Sequence, residues 1–248
     1  MWVAGVDGCR AGWVVALARH GGAAPHDGEP LVRVAPTLSA IADATERPAV
    51  IGIDIPIGLP DRTLGSGRRP EQAVRPLLGA RQSSVFAIPS RAAVYAADYG
   101  EACRIAADTS VPPRRVSKQG FMIFGKIREV DAFLRARPDW RERLYEVHPE
   151  LAFWSMNGER PLPEPKKVRG RPSAPGLALR RRLLAAAGLP ERVLDRPPPR
   201  GAAADDVLDA LAGLVVARKI ADGRGWPFPD PPERDAFGLP VAIWTYRT

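Results

Sequence analysis

The sequence predicts an α/β domain: a mixed five-stranded sheet with flanking helices and a large insertion after the fourth strand. Three observations predict it. Two apolar runs, Trp2–Val6 and Trp13–Leu17, flank a polar stretch from Asp7 to Gly12 that reads as a hairpin turn. The alternating segment Leu31–Ala35 reads as a third strand. A short helix then leads to Ala49–Ile53, a continuous apolar run of the kind carried by a strand buried on both faces. That order describes an antiparallel meander extended by a strand reached through a helical crossover.

The elements follow in order. Arg19–Pro30 is a loop rich in glycine and histidine, and Thr37 suits the N-cap of a helix over Leu38–Glu46 that Pro48 stops. The stretch Asp61–Ser117 is rich in Arg, Gly, Pro and Ser and reads as an insertion over one edge of the sheet. Short helices are expected near Glu71–Leu78 and Arg91–Ala107. A further helix over Phe121–Arg137 follows from the spacing of Ile123, Ile127, Val130, Phe133 and Leu134. One domain over residues 1–248 with an inserted subdomain at about 61–142 accounts for this.

Arg143–His148 is the fifth strand, and Pro149 fits the first position of a helix with Glu150 in its first turn. Pro161–Pro175 is a basic, proline-rich loop, Gly176–Ala187 is helical, and Arg196–Gly201 is a spacer. Ala202–Ile220 is the longest clean helix, with Leu208, Leu211, Leu214 and Val215 on its core face. Val241–Tyr246 closes the chain as a strand.

The 248 residues are ample for one sizeable core, and 45% apolar with 26% charged residues is an ordinary globular composition. A formal charge of +8 suggests a polyanionic partner, nucleic acid first among them. The abundance of arginine, alanine, glycine and proline is equally the coding bias of a GC-rich genome. Cys9 and Cys103 cannot make a disulfide framework or a zinc site by themselves and fit a reducing compartment. There is no basic segment followed by a cleavage site, and no apolar run approaches the roughly 18 residues a bilayer span requires. A cytoplasmic protein with no membrane partner is the expectation, and a homodimer is an admissible assembly.

The acids carry the chemistry. Asp7 and Asp54 each close a core strand and are followed closely by glycine, and Glu146 sits within the fifth strand. The helix beginning AAADDVLDALAGL puts Asp206 and Asp209 three residues apart on one face, with Asp205 four before Asp209. Acids in the first turn of a helix and a solvated face explain that helix taken alone. Together, however, carboxylates on neighbouring elements repel and raise one another's pKa, and hard divalent cations relieve the problem. Oxygen-only ligands suit magnesium or manganese rather than zinc. Two such ions can activate a water and stabilise the leaving oxygen of a phosphodiester.

The motifs VAGVDGCRAGWVVA, IGIDIPIGLP, GARQSSVFAIPSR, SKQGFMIFGKIREVD, YEVHPE and DDVLDAL span most of the chain. With them the chain resembles domain-of-unknown-function family 429, described as predicted ribonuclease H-like nucleases. The late helix is similar to that of Holliday-junction resolvases, which carry an aspartate pair spaced as Asp206 and Asp209 are. The resemblance implies a ribonuclease H-like fold and a nuclease with two Mg2+ or Mn2+ ions held by Asp7, Asp54 and Asp206 or Asp209. Asp7 would bridge the ions. Glu146 is then either a further ligand or the partner of an arginine. His148 either helps to move a proton or caps the helix at Pro149.

For substrate binding the candidates are Arg10, Arg81, Ser83, Ser84, Arg91, Lys118 and Lys126, a phosphate grip of hydroxyls and cations. Phe86, Phe121 and Phe124 either stack bases or belong to the core. Gly8 and Gly12 read as turn residues that leave room for a substrate backbone, and Arg68, Arg69 and Arg180–Arg182 as solvated surface. Two other functions compete with a nuclease. An ATP-binding phosphotransferase of the actin and sugar-kinase type would use the strand-Asp7 hairpin for nucleotide phosphates, but needs two lobes. A non-catalytic nucleic-acid-binding module would have no use for the acids, which are a stability liability.

Overall fold

Strands β1 (Trp2–Cys9) and β2 (Gly12–Arg19) extend the opening hairpin beyond its two apolar runs in the structure, a computed structural model that describes residues 1–21 and 28–247. Asp7 therefore lies inside β1, opposite Val14, and not beyond its end. The predicted loop Arg19–Pro30 falls partly on residues 22–27, outside the described residues. β3 (Leu31–Ala35) completes the meander. Helix α1 (Leu38–Ala42) is shorter than expected but is capped as predicted, Thr37 Oγ1 accepting the Ala40 N–H at 3.2 Å. After it comes β4 (Val50–Ile53).

The next segment is more broken than its apolar spacing suggests. It comprises β5 (Thr63–Leu64), α2 (Arg69–Val74), a 3₁₀ stretch over Arg75–Ser84, α3 (Arg91–Val94), α4 (Tyr99–Asp108), β6 (Ser110–Val111), α5 (Lys118–Met122) and α6 (Phe124–Ala136). The helix expected at Glu71–Leu78 straddles the end of α2 and the 3₁₀ stretch, which kinks at Gly79 (φ 52°). That expected at Arg91–Ala107 is two helices, and that at Phe121–Arg137 is divided at Ile123. Phe124, Ile127, Val130 and Leu134 of α6 pack on Ala4, Val6, Trp13, Val15, Ile51 and Ile53. Helix α6 thus covers a face of the sheet, because a helical apolar stripe needs an apolar surface to bury against.

The remaining elements are β7 (Leu144–Glu146), α7 (Pro149–Met156), the small hairpin β8 (Lys167–Val168) and β9 (Arg171–Pro172), α8 (Ala174–Ala186), α9 (Glu191–Leu194), α10 (Ala204–Ala221), and the ribbon β10 (Gly225–Arg234) with β11 (Pro240–Tyr246). Strand β10 is rich in proline, which ordinarily argues against a strand. Pro229, Pro231 and Pro232 fall where the register shifts between Phe228 and Glu233, so they need no ladder bond. The large sheet is mixed, in the order β3-β2-β1-β4-β7, with β1, β4 and β7 parallel.

Register decides which acids share a face, because side chains alternate along a strand. Ala4 and Val6 point to α6, whereas Val3 and, by the same parity, Asp7 point to α10. Val6 stands opposite Ile53, and Ile53 opposite Glu146. Asp54, next after Ile53, therefore shares the face of Asp7, and Glu146 takes the other.

Helix α10 is apolar almost all round and lies against that second face at three glycines. A Cβ on Gly5 would stand 2.0 Å from the Ala210 carbonyl oxygen and 2.1 Å from the Leu214 nitrogen, and one on Gly52 would stand 2.7 Å from the Gly213 oxygen. Gly5→Ala must push α10 off β1. Urea denaturation should register a loss of about 3 kcal/mol, the upper end of ordinary overpacking. Among the described residues no helix is long and apolar enough to cross a membrane.

Candidate metal centre

Asp7 on β1, Asp54 after β4 and Asp209 on α10 each bring one carboxylate oxygen to within 4.8 Å of the others. The parallel pairing sets the first two side by side, and the glycine contacts bring α10 close enough to supply the third. Asp7 and Asp209 are buried and Asp54 is half-buried. Asp7 Oδ1 accepts the Gly8 N–H at 2.7 Å. Asp209 Oδ2 accepts from the Lys166 ammonium, while its Oδ1 is buried without a partner. One lysine against three acids leaves the cluster short of positive charge. An oxygen-only donor set with an orphaned carboxylate oxygen is chemically suited to a hard divalent cation such as Mg2+ or Mn2+.

Burial raises the pKa of Asp7 well above the usual carboxylate range, and the charges of Asp54 and Asp209 add to the rise. Asp54 and Asp209 are pushed up to about 6, also chiefly by burial, with Lys166 opposing. Burial alone would lower Lys166, but Asp209, and then Asp7 and Asp54, hold it charged. The consequence for stability has a definite sign. A carboxylate raised in the folded state stabilises the fold fully below its unfolded pKa, near 4, and that contribution is lost as pH rises through about 6. Without divalent cations, the melting temperature should therefore rise on acidification from pH 7.5 to 5. Saturating Mn2+ should flatten or reverse that slope, which thermal denaturation across this range will measure.

The other predicted acids stand outside the cluster of three, although Glu146 lines the same cavity as Asp7 and Asp54. Asp206 turns back to accept the Ala203 N–H at 2.8 Å, and Asp205 pairs with Lys167 at 2.6 Å. Glu146, on the opposite face, accepts from Arg68 at 2.6 Å and from the Ile57 N–H at 2.7 Å, so the arginine-partner alternative describes it. Arg68 is buried, not solvated: it also donates to Glu71 Oε1 at 2.6 Å and to the carbonyls of Ile57 and Gly58. Burial would lower its pKa, but Glu146 and Glu71 more than reverse that. Arg69 is exposed as expected.

His148 occupies the N-cap position of α7 without making a side-chain cap bond. Its Nε2 lies 3.3 Å from the Ser84 carbonyl, which only accepts, so Nε2 carries the proton. Nδ1 is buried and unpartnered, and burial lowers the ring's pKa and keeps it neutral.

The substrate-binding candidates divide. Ser84 and Lys126 line a cavity of about 340 Å3 that opens beside Asp7 and Asp54 and also holds His148, Glu150 and Lys166. Lys126 donates to the Gly12 carbonyl at 2.5 Å and lies over the Trp13 ring. Its stem fills the space above Gly8, where a Cβ would meet it at 2.8 Å, and a Cβ on Gly12 would meet the Ala35 carbonyl oxygen at 2.3 Å. Gly12 therefore leaves no room for a substrate backbone, whereas Gly8 lines the cavity under a flexible lysine stem. Arg91 is taken by Asp131 and by Asp235, the latter at 2.6 Å, and does not face the acids as a free cation. Arg10, Ser83 and Lys118 are exposed and Arg81 is half-buried. Phe124 is core and Phe121 packs edge-on against it, which leaves Phe86 as the phenylalanine on the cavity wall.

Three further residues shape the site without any sequence signal that marks them. Lys166 sits in what reads as a basic loop. Glu150 Oε1 accepts from Arg180, which also donates to the carbonyls of Gly176 and Glu164. Arg180 is thus fully buried, contrary to the solvated reading, and its bond to Glu164 fixes the chain just before Lys166. Arg182 is exposed as expected. Cys9 and Cys103 are both free and buried.

No curated protein and no solved structure matches this chain. A family model matches residues 5–234, a span that takes in all three clustered acids, and so the chain belongs to the family described as "Protein of unknown function (DUF429)".

Proposed function

We propose that this chain is a metal-dependent nuclease of the ribonuclease H-like superfamily, hydrolysing phosphodiester bonds of DNA or RNA. The observation that carries the reading is the convergence of Asp7, Asp54 and Asp209 from two adjacent parallel strands and a late helix. The sheet order β3-β2-β1-β4-β7 supports the superfamily assignment, and the net charge of +8 suits a polyanionic substrate. Fold alone would not carry an activity, so the weight rests on the acids.

Magnesium or manganese bound there would activate a water and stabilise the leaving oxygen. The chain's own residues do the rest. Asp7, Asp54 and Asp209 would hold the metal between them. Neutral His148 lines the cavity, with its Nδ1 lone pair buried and unpartnered. Lys126 supplies a cation to a phosphate entering the cavity.

The test is cleavage of branched DNA, an RNA–DNA hybrid and single strands, in Mg2+ or Mn2+ and in a chelator. At least one substrate should be cut only with metal, and Asp54→Asn should lose that activity while still folding. Absence of any metal-dependent cleavage by the wild type sinks the reading.

A further inference from the structure

The cavity beside the three acids is lined in a way that phosphate chemistry does not require. Its volume of about 340 Å3 lies at the lower end of the range for small-ligand pockets, about 300–1,000 Å3. Asp7 and Asp54 line it together with Glu71, Glu146 and Glu150, but much of the wall is Val85, Phe86, Ile88, Met122 and Ile123. Phe86 is half-buried and packed against the core, which holds its ring in place. Met122, by contrast, is 81% exposed, an apolar side chain left in water beside the cavity. An apolar surface adjoining a charged centre marks a ligand with both characters.

A continuous duplex does not present both. It offers phosphates, sugars and groove edges, and keeps the faces of its bases stacked. An unstacked nucleotide does offer them: a flat, largely apolar base joined through its sugar to a phosphate. We propose that this cavity receives one unstacked nucleobase whose neighbouring phosphate lies at Asp7, Asp54 and Asp209. The substrate class is then nucleic acid with an unpaired nucleotide, not continuous duplex. This rests on the nuclease reading for the role of the acids, but the cavity can be tested apart from cleavage.

The experiment measures binding of the full chain by fluorescence anisotropy in Ca2+, a hard cation for the same oxygen ligands. Three labelled oligonucleotides are compared: a duplex with one unpaired nucleotide, the same duplex with that nucleotide abasic, and the continuous duplex. The intact unpaired nucleotide should bind about tenfold more tightly than the other two, the size expected of one base stacked on a side chain. Phe86→Ala and Met122→Glu should erase that ratio. Met122 is exposed, so its replacement leaves folding undisturbed. A merely structural effect would weaken all three duplexes alike.

Equal binding of the intact and abasic forms, equal binding of the continuous duplex, or no binding overturns the assignment. Cleavage of the same duplexes in Mg2+ judges the nuclease reading separately. Base-dependent binding without cleavage keeps the cavity assignment and removes the nuclease. Cleavage with base-independent binding does the reverse.

Discussion

Asp7→Asn raises the melting temperature of the metal-free protein at pH 7.5 and abolishes stabilisation by Mn2+. Asp7 is buried, and its carboxyl is raised by that burial and by the charges of Asp54 and Asp209. At neutral pH the folded protein must therefore either bear a buried charge or take up a proton that the unfolded chain does not hold. Asparagine avoids both, and its side-chain oxygen can still accept the Gly8 N–H that Asp7 accepts at 2.7 Å. The expected gain is a rise of several degrees in melting temperature. The gain should fade as pH falls toward 4, where the unfolded aspartate is protonated as well. A gain that persists at pH 4, or a loss at pH 7.5, contradicts the electrostatic account. Thermal denaturation at both pH values decides it.

Lys166→Met has the opposite sign. The Lys166 ammonium pairs with Asp209 and lies close enough to Asp7 and Asp54 to be held charged by them. It stands in for part of the missing cation. Removing it leaves Asp209 buried beside two acids with neither oxygen paired, and the metal-free protein should lose about 1–2 kcal/mol. That is less than the 3–5 kcal/mol of a fully buried pair, because Lys166 is partly exposed and Asp209 can protonate. Mn2+ should then bind about tenfold more tightly, because no ammonium has to leave Asp209 first. The added stabilisation by Mn2+ should exceed that of the wild type. Weaker Mn2+ binding by this variant would show that Lys166 supports the ion rather than competes with it.

The strands and the acids on them were legible because each carries a local signal. Continuous apolar runs mark β1 and β4, and an aspartate directly after or within such a run is conspicuous. What local signals do not carry is facing. Glu146 looks equivalent to Asp54 along the chain, yet the pairing of Ile53 with Glu146 puts the two on opposite faces of the sheet. Asp206 and Asp209 share a helix face broadly, and only the packing separates them. Gly213, four residues beyond Asp209, lies against Gly5 and Gly52, which turns Asp209 toward the strands and leaves Asp206 to cap the helix. That glycine was a readable hint.

The buried arginines were not legible. Arg68 and Arg180 sit among other basic residues, and their partners are distant in sequence: Glu146 for the first, Glu150 for the second. A guanidinium counts as surface until the tertiary fold brings a carboxylate to it. Lys166 follows the same rule, since nothing in KKVRGRP distinguishes the lysine that reaches Asp209 from the one that reaches Asp205.

Calorimetric titration of Mn2+ into the wild type and Asp7→Asn at pH 7.5 tests the central claim, that these three carboxylates form a metal centre. Saturable binding by the wild type, weakened at least about a hundredfold in Asp7→Asn, is the predicted result. Absence of binding by the wild type, or equal binding by the two proteins, contradicts it.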